Sequence, residues 1–447
     1  MPSRREFVRI GAASVASLAL RHFGLLPALA QNGPDYRALV CVFLLGGNDS
    51  NNTIVPLDDA SYQAYSSIRG DLALSGSTLS PAVQNVDGMP LAFHAKLGEL
   101  SNLFSSKTLS IVANVGSLVQ PLTKAEYQQQ LRPIPFNLFS HPDQQTQWQT
   151  SLAQELRATG WAGRAADYIA SQNFNSSGFP TFLSVAGDCL LGTGELTQPV
   201  AIFPGAPLVI RGFTKSPHSQ MRWSALTDLL SLNSGVSLVQ AANHKLANSI
   251  ADATALNNAL SKATTLNTHF PSTQLGAQLQ QVAQIIQVRS ELGMCRQIFF
   301  CSLGWFDTHA SQTNVLNYLY PTLSQALAAF YDATQELGVA QNVTTFTESD
   351  FGRTFQPNTA GGSDHAWGGH QFVLGGAVQG GRVFGRFPIF QLGGPDDAHD
   401  RGMWIPAISI EQYAATLCSW FGIPDDILPA VFPNLRNFAP QKLSFIG

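Results

Sequence analysis

Three strand-like segments, separated by helical patterns, are the feature of this chain that most restricts its fold. They cover residues 38–45, 297–303 and 343–347, and apolar residues at helical spacing fill residues 315–337 between the last two. The first segment, residues 38–45, is apolar throughout, and such a strand is buried on both faces, as in parallel sheets covered by helices. The alternation therefore predicts an α/β fold with a mostly parallel central sheet flanked by helices, followed by a Gly-rich C-terminal region over residues 361–402.

Acidic and imidazole side chains come directly after these segments. Asp49 follows the first segment, Asp307 and His309 follow the second, and Glu348 and Asp350 end the third. Because the carboxyl ends of parallel strands lie at one edge of a sheet, we expect these side chains to converge despite their distance in sequence. Carboxylates and imidazoles are ligands for Zn and Mn, so the pattern predicts a metal site and hydrolytic chemistry.

Among these side chains, two pairs are spaced two residues apart. In an extended segment, Asp307 and His309 would point to the same face and share one metal, although a helix-capping Asp beside a surface His is the alternative. Glu348 and Asp350 have the same spacing, and Arg353 follows within reach to hold an anionic oxygen. The alternative for the second pair is an ordinary ion pair between Asp350 and Arg353 on a surface turn.

A further acid and two histidines lie in the segment Asp364 to His370. His365 and His370 are five residues apart, which would leave them about 140° apart on a helix, so a glycine-bent loop is needed to turn both inward. We therefore favour His365 as a ligand. His370 could be a ligand, but a role in which it orients a ligand or caps a strand fits equally well.

Ser140 is the candidate nucleophile, because it stands at the predicted start of a helix, where backbone N–H groups favour an anion. Residues 140–143 also suit a capping box with no chemistry, and Ser117, Thr146 and water are rival nucleophiles. Most of the remaining histidines, His141 among them, lack a second ligand at a recognisable spacing. We interpret these histidines as structural or solvated.

The N-terminus has the pattern of a twin-arginine export signal. Arg4 and Arg5 precede an apolar stretch over residues 10–20, and Ala28 and Ala30 supply small side chains for cleavage after residue 30. An amphipathic first helix or a retained anchor is the alternative. We expect a signal peptide over residues 1–30, the twin-arginine export machinery as a partner, and a periplasmic or extracellular protein. Residues 31–447 are then one domain without a membrane span, with a possible helical insertion or cap over about residues 203–292.

Composition excludes several classes of function. The formal net charge is −4 and no basic run is present, so neither nucleic acid nor an anionic membrane surface is an expected partner. The five cysteines form no closely spaced pair, which argues against a disulfide framework, a zinc ribbon or an iron-sulfur motif. Nucleotide-binding glycine fingerprints and the Gly-x-Ser-x-Gly elbow of serine hydrolases do not occur.

Several motifs, in this order, resemble the exported domain-of-unknown-function family 1501, which is similar to the alkaline phosphatase and sulfatase superfamily. They are Leu44-Leu45-Gly46-Gly47-Asn48-Asp49, Ser140-His141-Pro142-Asp143, Phe306-Asp307-Thr308-His309, Glu348-Ser349-Asp350-Phe351-Gly352-Arg353, Asp364-His365 and Phe372-Val373-Leu374-Gly375-Gly376. The resemblance implies an alkaline-phosphatase-like fold with metal ligands at Asp49, Asp307, His309, Asp350 and His365. Two departures are Phe351, where superfamily enzymes carry His or Asn, and the lack of a sulfatase-type Cys-x-Pro-x-Arg motif.

Together these patterns predict an exported metal-dependent hydrolase of a phosphate or sulfate ester, with a small-molecule or polysaccharide substrate. Divalent Zn, Mn or Ca would polarise the ester, Arg353 would stabilise developing charge, and Ser140 or water would attack. A non-catalytic, envelope-associated binding protein on the same fold is the alternative. The predicted metal ligands are Asp49, Asp307, His309, Glu348, Asp350, Asp364, His365 and His370.

Overall fold

The structure is a computed structural model that describes residues 36–447, except residues 156–157, 207, 211–212 and 215. The signal peptide predicted over residues 1–30 lies outside the described residues. Within the described ranges, none of the helices combines the length and the apolar character that crossing a membrane requires.

Twelve strands are present in the described residues, and most of them join one central sheet. Their bounds are β1 Arg37–Leu44, β2 Ile54–Pro56, β3 Val83–Gln84, β4 Pro90–Phe93, β5 Leu109–Gly116, β6 Phe182–Ser184, β7 Val200–Ala201, β8 Arg296–Leu303, β9 Val343–Ser349, β10 Gly369–Leu374, β11 Val383–Gly385 and β12 Ile408–Ser409. The central sheet has the order β11-β5-β10-β9-β1-β8-β6-β7, with β12 also pairing with β5, and β2, β4 and β3 form a small second sheet.

The centre of the large sheet is formed by the three strands predicted from residues 38–45, 297–303 and 343–347. β1 lies between β8 and β9 and pairs with both in parallel, with Val40 opposite Phe299 on one side and Thr345 on the other. β10 is antiparallel to both β9 and β5, whereas the other pairings in this sheet are parallel. The predicted class, an α/β fold with a mostly parallel central sheet flanked by helices, is confirmed.

Helices cover both faces of this sheet. Their bounds are α1 Asp59–Arg69, α2 Gly98–Ser105, α3 Lys124–Gln128, α4 His141–Thr150, α5 Trp161–Ser171, α6 Pro217–Ser231, α7 Ser237–Leu260, α8 Gln274–Gln287, α9 Gln312–Glu336, α10 Ile410–Phe421 and α11 Leu428–Val431. α9 packs with α8 and α2, while α10 packs against β1 and β5. On the α5 and α10 side, Trp161 and Tyr413 pack on the Phe346 ring, so that buried aromatic residues fill the space between helices and sheet.

One detail differs from the sequence pattern. The order strand, helix, strand over β1, α2 and β5 predicts that these two strands pair, but β9 and β10 lie between them in the sheet. β10 lies in this gap, and its antiparallel pairing with β9 and β5 satisfies backbone groups of both neighbours. Within residues 203–292, α6 and α7 pack on each other, whereas α8 packs against β8 and α9 in the main helical layer.

Candidate metal centre

The candidate site lies at the edge of the sheet where β1, β8 and β9 end. These three strands run parallel, so the loops that follow them leave the sheet on the same side. β10 is antiparallel to β9, and the loop that precedes it therefore reaches the same edge. α4 begins at this edge, because His141, its first residue, contacts Asp350 in the loop after β9.

Four side chains converge here, from the start of α4, the loop after β8 and the loop before β10. Nε2 of His141, Nε2 of His365 and a carboxylate oxygen of Asp307 lie within 4.8 Å of one another. His309 joins them, with its Nε2 3.1 Å from Oδ1 of Asp307 and 2.9 Å from Nε2 of His365. We name this set, His141, Asp307, His309 and His365, the histidine cluster.

Each histidine of the cluster places its Nδ1 against an oxygen atom. The pairs are His141 with Oδ2 of Asp350 at 2.7 Å, His309 with Oδ1 of Asp364 at 3.0 Å, and His365 with the carbonyl of Phe139 at 2.6 Å. An oxygen acceptor keeps the proton on Nδ1, so the lone pair of each neutral ring sits on Nε2 and faces the cluster. Burial lowers the pKa of His365 despite its bond to the carbonyl, which favours the neutral ring.

This arrangement suits a bound cation. Two Nε2 lone pairs that face each other repel, and a cation between them removes this repulsion. Nε2 of His141 is buried and has no hydrogen-bond partner among the described residues. Its distance to Oδ1 of Asp307 is 3.5 Å, and those of His365 and His309 to the same oxygen are 3.4 and 3.1 Å. Ligands placed tetrahedrally at zinc bond lengths are about 3.4 Å apart, so the distances of His141 and His365 to Asp307 fit such an ion, and His309 adjoins this group through Asp307 and His365.

The acidic members of the site are ionised at neutral pH. Burial raises the pKa of Asp307, but the hydrogen bond and charge of Arg353 outweigh it and hold this pKa below its ordinary value. In the same way, burial opposes but does not cancel the effect of Asn358 and Arg401, which lower the pKa of Asp364 to about 2. The cluster therefore presents one carboxylate and three imidazoles, which are the donors that Zn, Mn and Fe accept.

Arg353 holds the loops together instead of facing a substrate, which corrects its predicted role. Its side chain is fully buried, and it donates to the carbonyls of Gly46, Gly47, Ser363 and Phe306. It also donates to Oδ1 of Asp307, the oxygen that faces the cluster. Charge stabilisation requires a donor that the substrate can reach, and this guanidinium is inaccessible to solvent. Arg353 instead fixes the position of the cluster carboxylate.

Phe351 forms an aromatic wall of the cluster. Its ring centroid lies 4.7 Å from that of His141 and 4.6 Å from that of His365. Gly47 allows this packing, because a Cβ at that position would lie 2.6 Å from the Phe351 ring and its φ is +80°. Phe351 therefore orients two of the candidate ligands.

Asp49 follows β1, but its carboxylate bonds to residues outside the histidine cluster. It is fully buried, and its carboxylate forms an ion pair with the buried guanidinium of Arg69. Gln312 and Asn51 also donate to its oxygens. With its charge neutralised and its oxygens bonded, Asp49 does not serve as a ligand in this arrangement.

Glu348 is the clearest correction among the predicted ligands. It lies inside β9, and its neighbours are Cys41 and Trp161, whose side chains lie in the core between sheet and helices. Asp350 lies beyond the strand end, where it accepts from the backbone of Gly46 and from His141. Residues two apart share one face of a strand only while both belong to it. β9 ends at Ser349, so Asp350 lies outside the strand and need not share a face with Glu348.

His370 and Ser140 also lie outside the cluster. Nδ1 of His370 accepts a hydrogen bond from the backbone of Asn114 at 3.0 Å, and burial lowers the pKa of His370 to about 3. Ser140 occupies the predicted N-cap of α4, but its hydroxyl donates to Asp143 and caps no backbone group. Asp350 and Asp364, two predicted ligands, instead hold the imidazoles of His141 and His309 from behind.

His141 is the member of the cluster that sequence reasoning missed. No spacing connects it to the other ligands, because 166 residues separate it from Asp307. The predicted helix start at residues 140–143 was a usable signal. A residue at the start of a helix that begins at the sheet edge lies close to the loops that form the site. The structure brings together Asp307, His309 and His365 from the predicted ligand set and adds His141.

Comparisons with known proteins give a family and several weak structural likenesses. The family described as "Protein of unknown function (DUF1501)" matches residues 36–409. No curated protein matches the chain. Among solved structures, the chain is similar to the PsFucS1 sulfatase from Pseudoalteromonas sp., with 10% identity, a TM-score of 0.35, and coverage of 95% of this chain and 73% of that one.

Two further solved structures show likenesses of the same strength. The lipoteichoic acid synthase LtaP from Listeria monocytogenes has 10% identity and a TM-score of 0.33, with coverage of 88% of this chain and 73% of that one. A mutant of the alkaline phosphatase PafA has 12% identity and a TM-score of 0.26, with coverage of 72% and 64%. Likenesses at these scores assign no activity to this chain.

Proposed function

This chain belongs to DUF1501, a family of proteins of unknown function, and for this member we propose an exported, metal-dependent hydrolase that acts on a phosphate or sulfate ester. The observation that carries the proposal is the convergence of three Nε2 atoms and one carboxylate oxygen in the histidine cluster. Each donor comes from a different position in the chain, and each imidazole is fixed from behind by an oxygen acceptor.

The residues that would hold the ion are His141, Asp307, His309 and His365. Zinc or manganese suits this mixture of imidazole and carboxylate donors better than calcium, which prefers oxygen ligands. A bound divalent ion supplies a Lewis acid for the ester oxygen and lowers the pKa of bound water toward about 7. The side chains of Asp307 and His309 are 47% and 45% exposed, so the cluster is open to a substrate on one side.

The remaining residues keep this arrangement in place. Asp350 and Asp364 hold the proton on Nδ1 of their histidines and so keep the Nε2 lone pairs directed at the cluster. Arg353 holds the Asp307 carboxylate ionised and in position. Water is a better nucleophile than Ser140 in this geometry, because the Ser140 hydroxyl is directed at Asp143.

Metal analysis combined with ester hydrolysis tests the proposal. The mature protein, residues 31–447, is purified and its metal content measured, and hydrolysis of 4-nitrophenyl phosphate and 4-nitrophenyl sulfate is followed with added Zn or Mn. We expect close to one ion per chain and metal-dependent turnover, with both lost in Asp307→Ala. Asp71→Ala, which removes an exposed carboxylate outside the cluster, is the matched control and should keep both. A wild-type protein that takes up no metal and cleaves neither ester would contradict the proposal.

Export is a separate part of the proposal and has its own test. The support is the sequence pattern of Arg4 and Arg5 before the apolar stretch. A chain with both arginines replaced by lysine should remain in the cytoplasmic fraction, whereas the wild-type chain should reach the periplasm or the medium. Equal distribution of the two chains would refute the twin-arginine route without affecting the metal centre.

A second candidate function is a non-catalytic binding protein at the cell envelope. The observation that favours it is the number of protein donors, because four ligands complete the tetrahedral shell of a structural zinc site. The same assays separate the two functions. Stoichiometric metal without turnover of either ester, together with loss of thermal stability on chelation, would favour the binding protein.

A further inference from the structure

Trp305 exposes its indole two residues before Asp307, a member of the histidine cluster. Trp305 is 85% exposed, the highest value among the large hydrophobic side chains in the described residues. The indole forms no hydrogen bond and no ring contact with the described residues. A tryptophan normally buries 150–250 Å² of surface, so one left almost uncovered is unusual and points to a surface that another molecule covers.

The backbone at Trp305 has an unusual conformation. Its φ is +76°, in the left-handed region that bulky side chains rarely adopt. Such conformations persist where the surrounding structure imposes them, and they concentrate at binding and catalytic sites. Gly304 precedes it with no atom near its missing Cβ, so crowding on that side does not force the conformation.

The residues after Trp305 hold the loop rigidly. Phe306 is fully buried, donates its backbone N–H to Leu45 and accepts from Arg353 through its carbonyl. A Cβ at Gly46 would lie 2.5 Å from the backbone nitrogen of Asp307, so the two loops are in close contact. The indole is therefore presented by a fixed backbone and not by a loose loop.

The backbone of Trp305 also lies close to that of Asp307 in the histidine cluster. Two peptide units separate its Cα from that of Asp307, which limits the distance between these atoms to about 7 Å. A group stacked on the indole would therefore belong to the unit that carries the ester or to the next unit.

We propose that Trp305 is a stacking platform that gives the site a preference for saccharide esters, and this inference rests on the proposed hydrolase function. A sugar ring offers one apolar C–H face to the indole while its hydroxyl groups stay in water, so a single exposed aromatic face is sufficient. An apolar aryl group would require walls around it, because ligand sites of that kind bury most of the ligand surface. Nucleobases also stack on aromatic rings, but they require a basic groove, and this chain has no basic run and a net charge of −4.

The test compares saccharide esters with aryl esters in the mature protein loaded with zinc. The saccharide probes are glucosamine 6-sulfate and glucose 6-phosphate, and the aryl probes are 4-nitrophenyl sulfate and 4-nitrophenyl phosphate. Trp305→Ala should raise KM for the saccharide esters about tenfold or more, the size of the loss when stacking aromatics are removed. It should leave kcat and the KM of the aryl esters within about twofold. Trp305→Tyr should restore most of the loss, and Leu196→Ala, at a residue that is 83% exposed, controls for loss of apolar surface.

Calorimetric binding of the same saccharide esters separates this inference from the proposed function. If the protein hydrolyses no ester but binds a saccharide ester in a Trp305-dependent way, the hydrolase proposal fails and the platform stands. If aryl esters are hydrolysed but Trp305→Ala binds saccharide esters as tightly as wild type, the platform fails alone. Equal losses for aryl and saccharide esters, or no binding of either saccharide ester by wild type, would also overturn it.

Discussion

Replacing Glu348 with glutamine is expected to remove a loss of stability that the wild-type protein suffers as the pH rises from 5 to 8. The Glu348 carboxyl is fully buried in β9, and neither oxygen has a hydrogen bond of normal geometry with the described residues. The Cys41 thiol and the Trp161 indole lie near it but only partly offset this burial. Burial therefore raises the pKa of Glu348 from 4.5 to about 8.

The sign and size of the effect follow from this raised pKa. The folded protein favours the protonated form, so the stabilisation is complete below the unfolded pKa of 4.5 and is lost as the pH rises through about 8. Each pH unit between the two pKa values costs about 1.4 kcal/mol, which amounts to about 3.5 kcal/mol of unfolding free energy between pH 5 and 8. A glutamine has a similar shape and does not ionise, so its contribution stays constant over this range.

Urea unfolding of the mature protein at several pH values measures this effect. We expect the free energy of unfolding of Glu348→Gln, relative to wild type, to increase by about 3.5 kcal/mol from pH 5 to 8. Groups that titrate alike in both proteins cancel in the difference. Glu195→Gln, which alters an exposed carboxyl, is the control and should follow the wild-type profile. A difference between Glu348→Gln and wild type that does not change with pH would refute the reasoning.

Four further substitutions test the metal centre and its support. His141→Ala should lower the affinity for zinc at least 100-fold by removing one of four donors, and unchanged calorimetric titration of the metal-stripped protein would disprove its role. Asp350→Asn keeps a hydrogen-bond acceptor but loses the charge behind His141, so we expect zinc affinity about 10- to 100-fold lower in the same titration. Gly47→Ala places a Cβ against the Phe351 ring and should cost about 1–3 kcal/mol in urea unfolding, whereas wild-type stability would show that the turn can relax. Phe351→Ala opens a cavity beneath two imidazoles and should cost about 3–5 kcal/mol, and a loss below 1 kcal/mol would contradict its supporting role.

Much of the fold could be predicted because the decisive strands have local signatures. β1 contains a continuous apolar run, β8 is apolar over most of its length and β9 is rich in β-branched residues, and the structure buries nearly all of their residues. Parallel pairing then follows from the alternation with helices. The position of β10 could not be predicted, because its place between β9 and β5 depends on backbone pairing between distant segments, which no local pattern encodes.

The site was predictable to the extent that strand ends define it. Asp307 and His309 follow β8 directly, and His365 precedes β10 at the same edge, so their convergence follows from strand direction. Glu348 was assigned wrongly to the site, because its side-chain direction depends on whether β9 continues beyond it. His141 was missed, because it belongs to a helix whose packing brings it to the edge from a distant part of the chain.

The sequence by itself determined the class of the fold and the edge of the sheet where chemistry-bearing side chains collect, since both follow from hydrophobic pattern and strand direction. The tertiary structure alone decided which of these side chains share a site. It paired Asp49 with Arg69, turned Glu348 into the core and directed His141 toward Asp307. The physical reason is that coordination depends on distances of a few ångströms between atoms, and such distances are fixed only when loops, helices and sheet pack against one another.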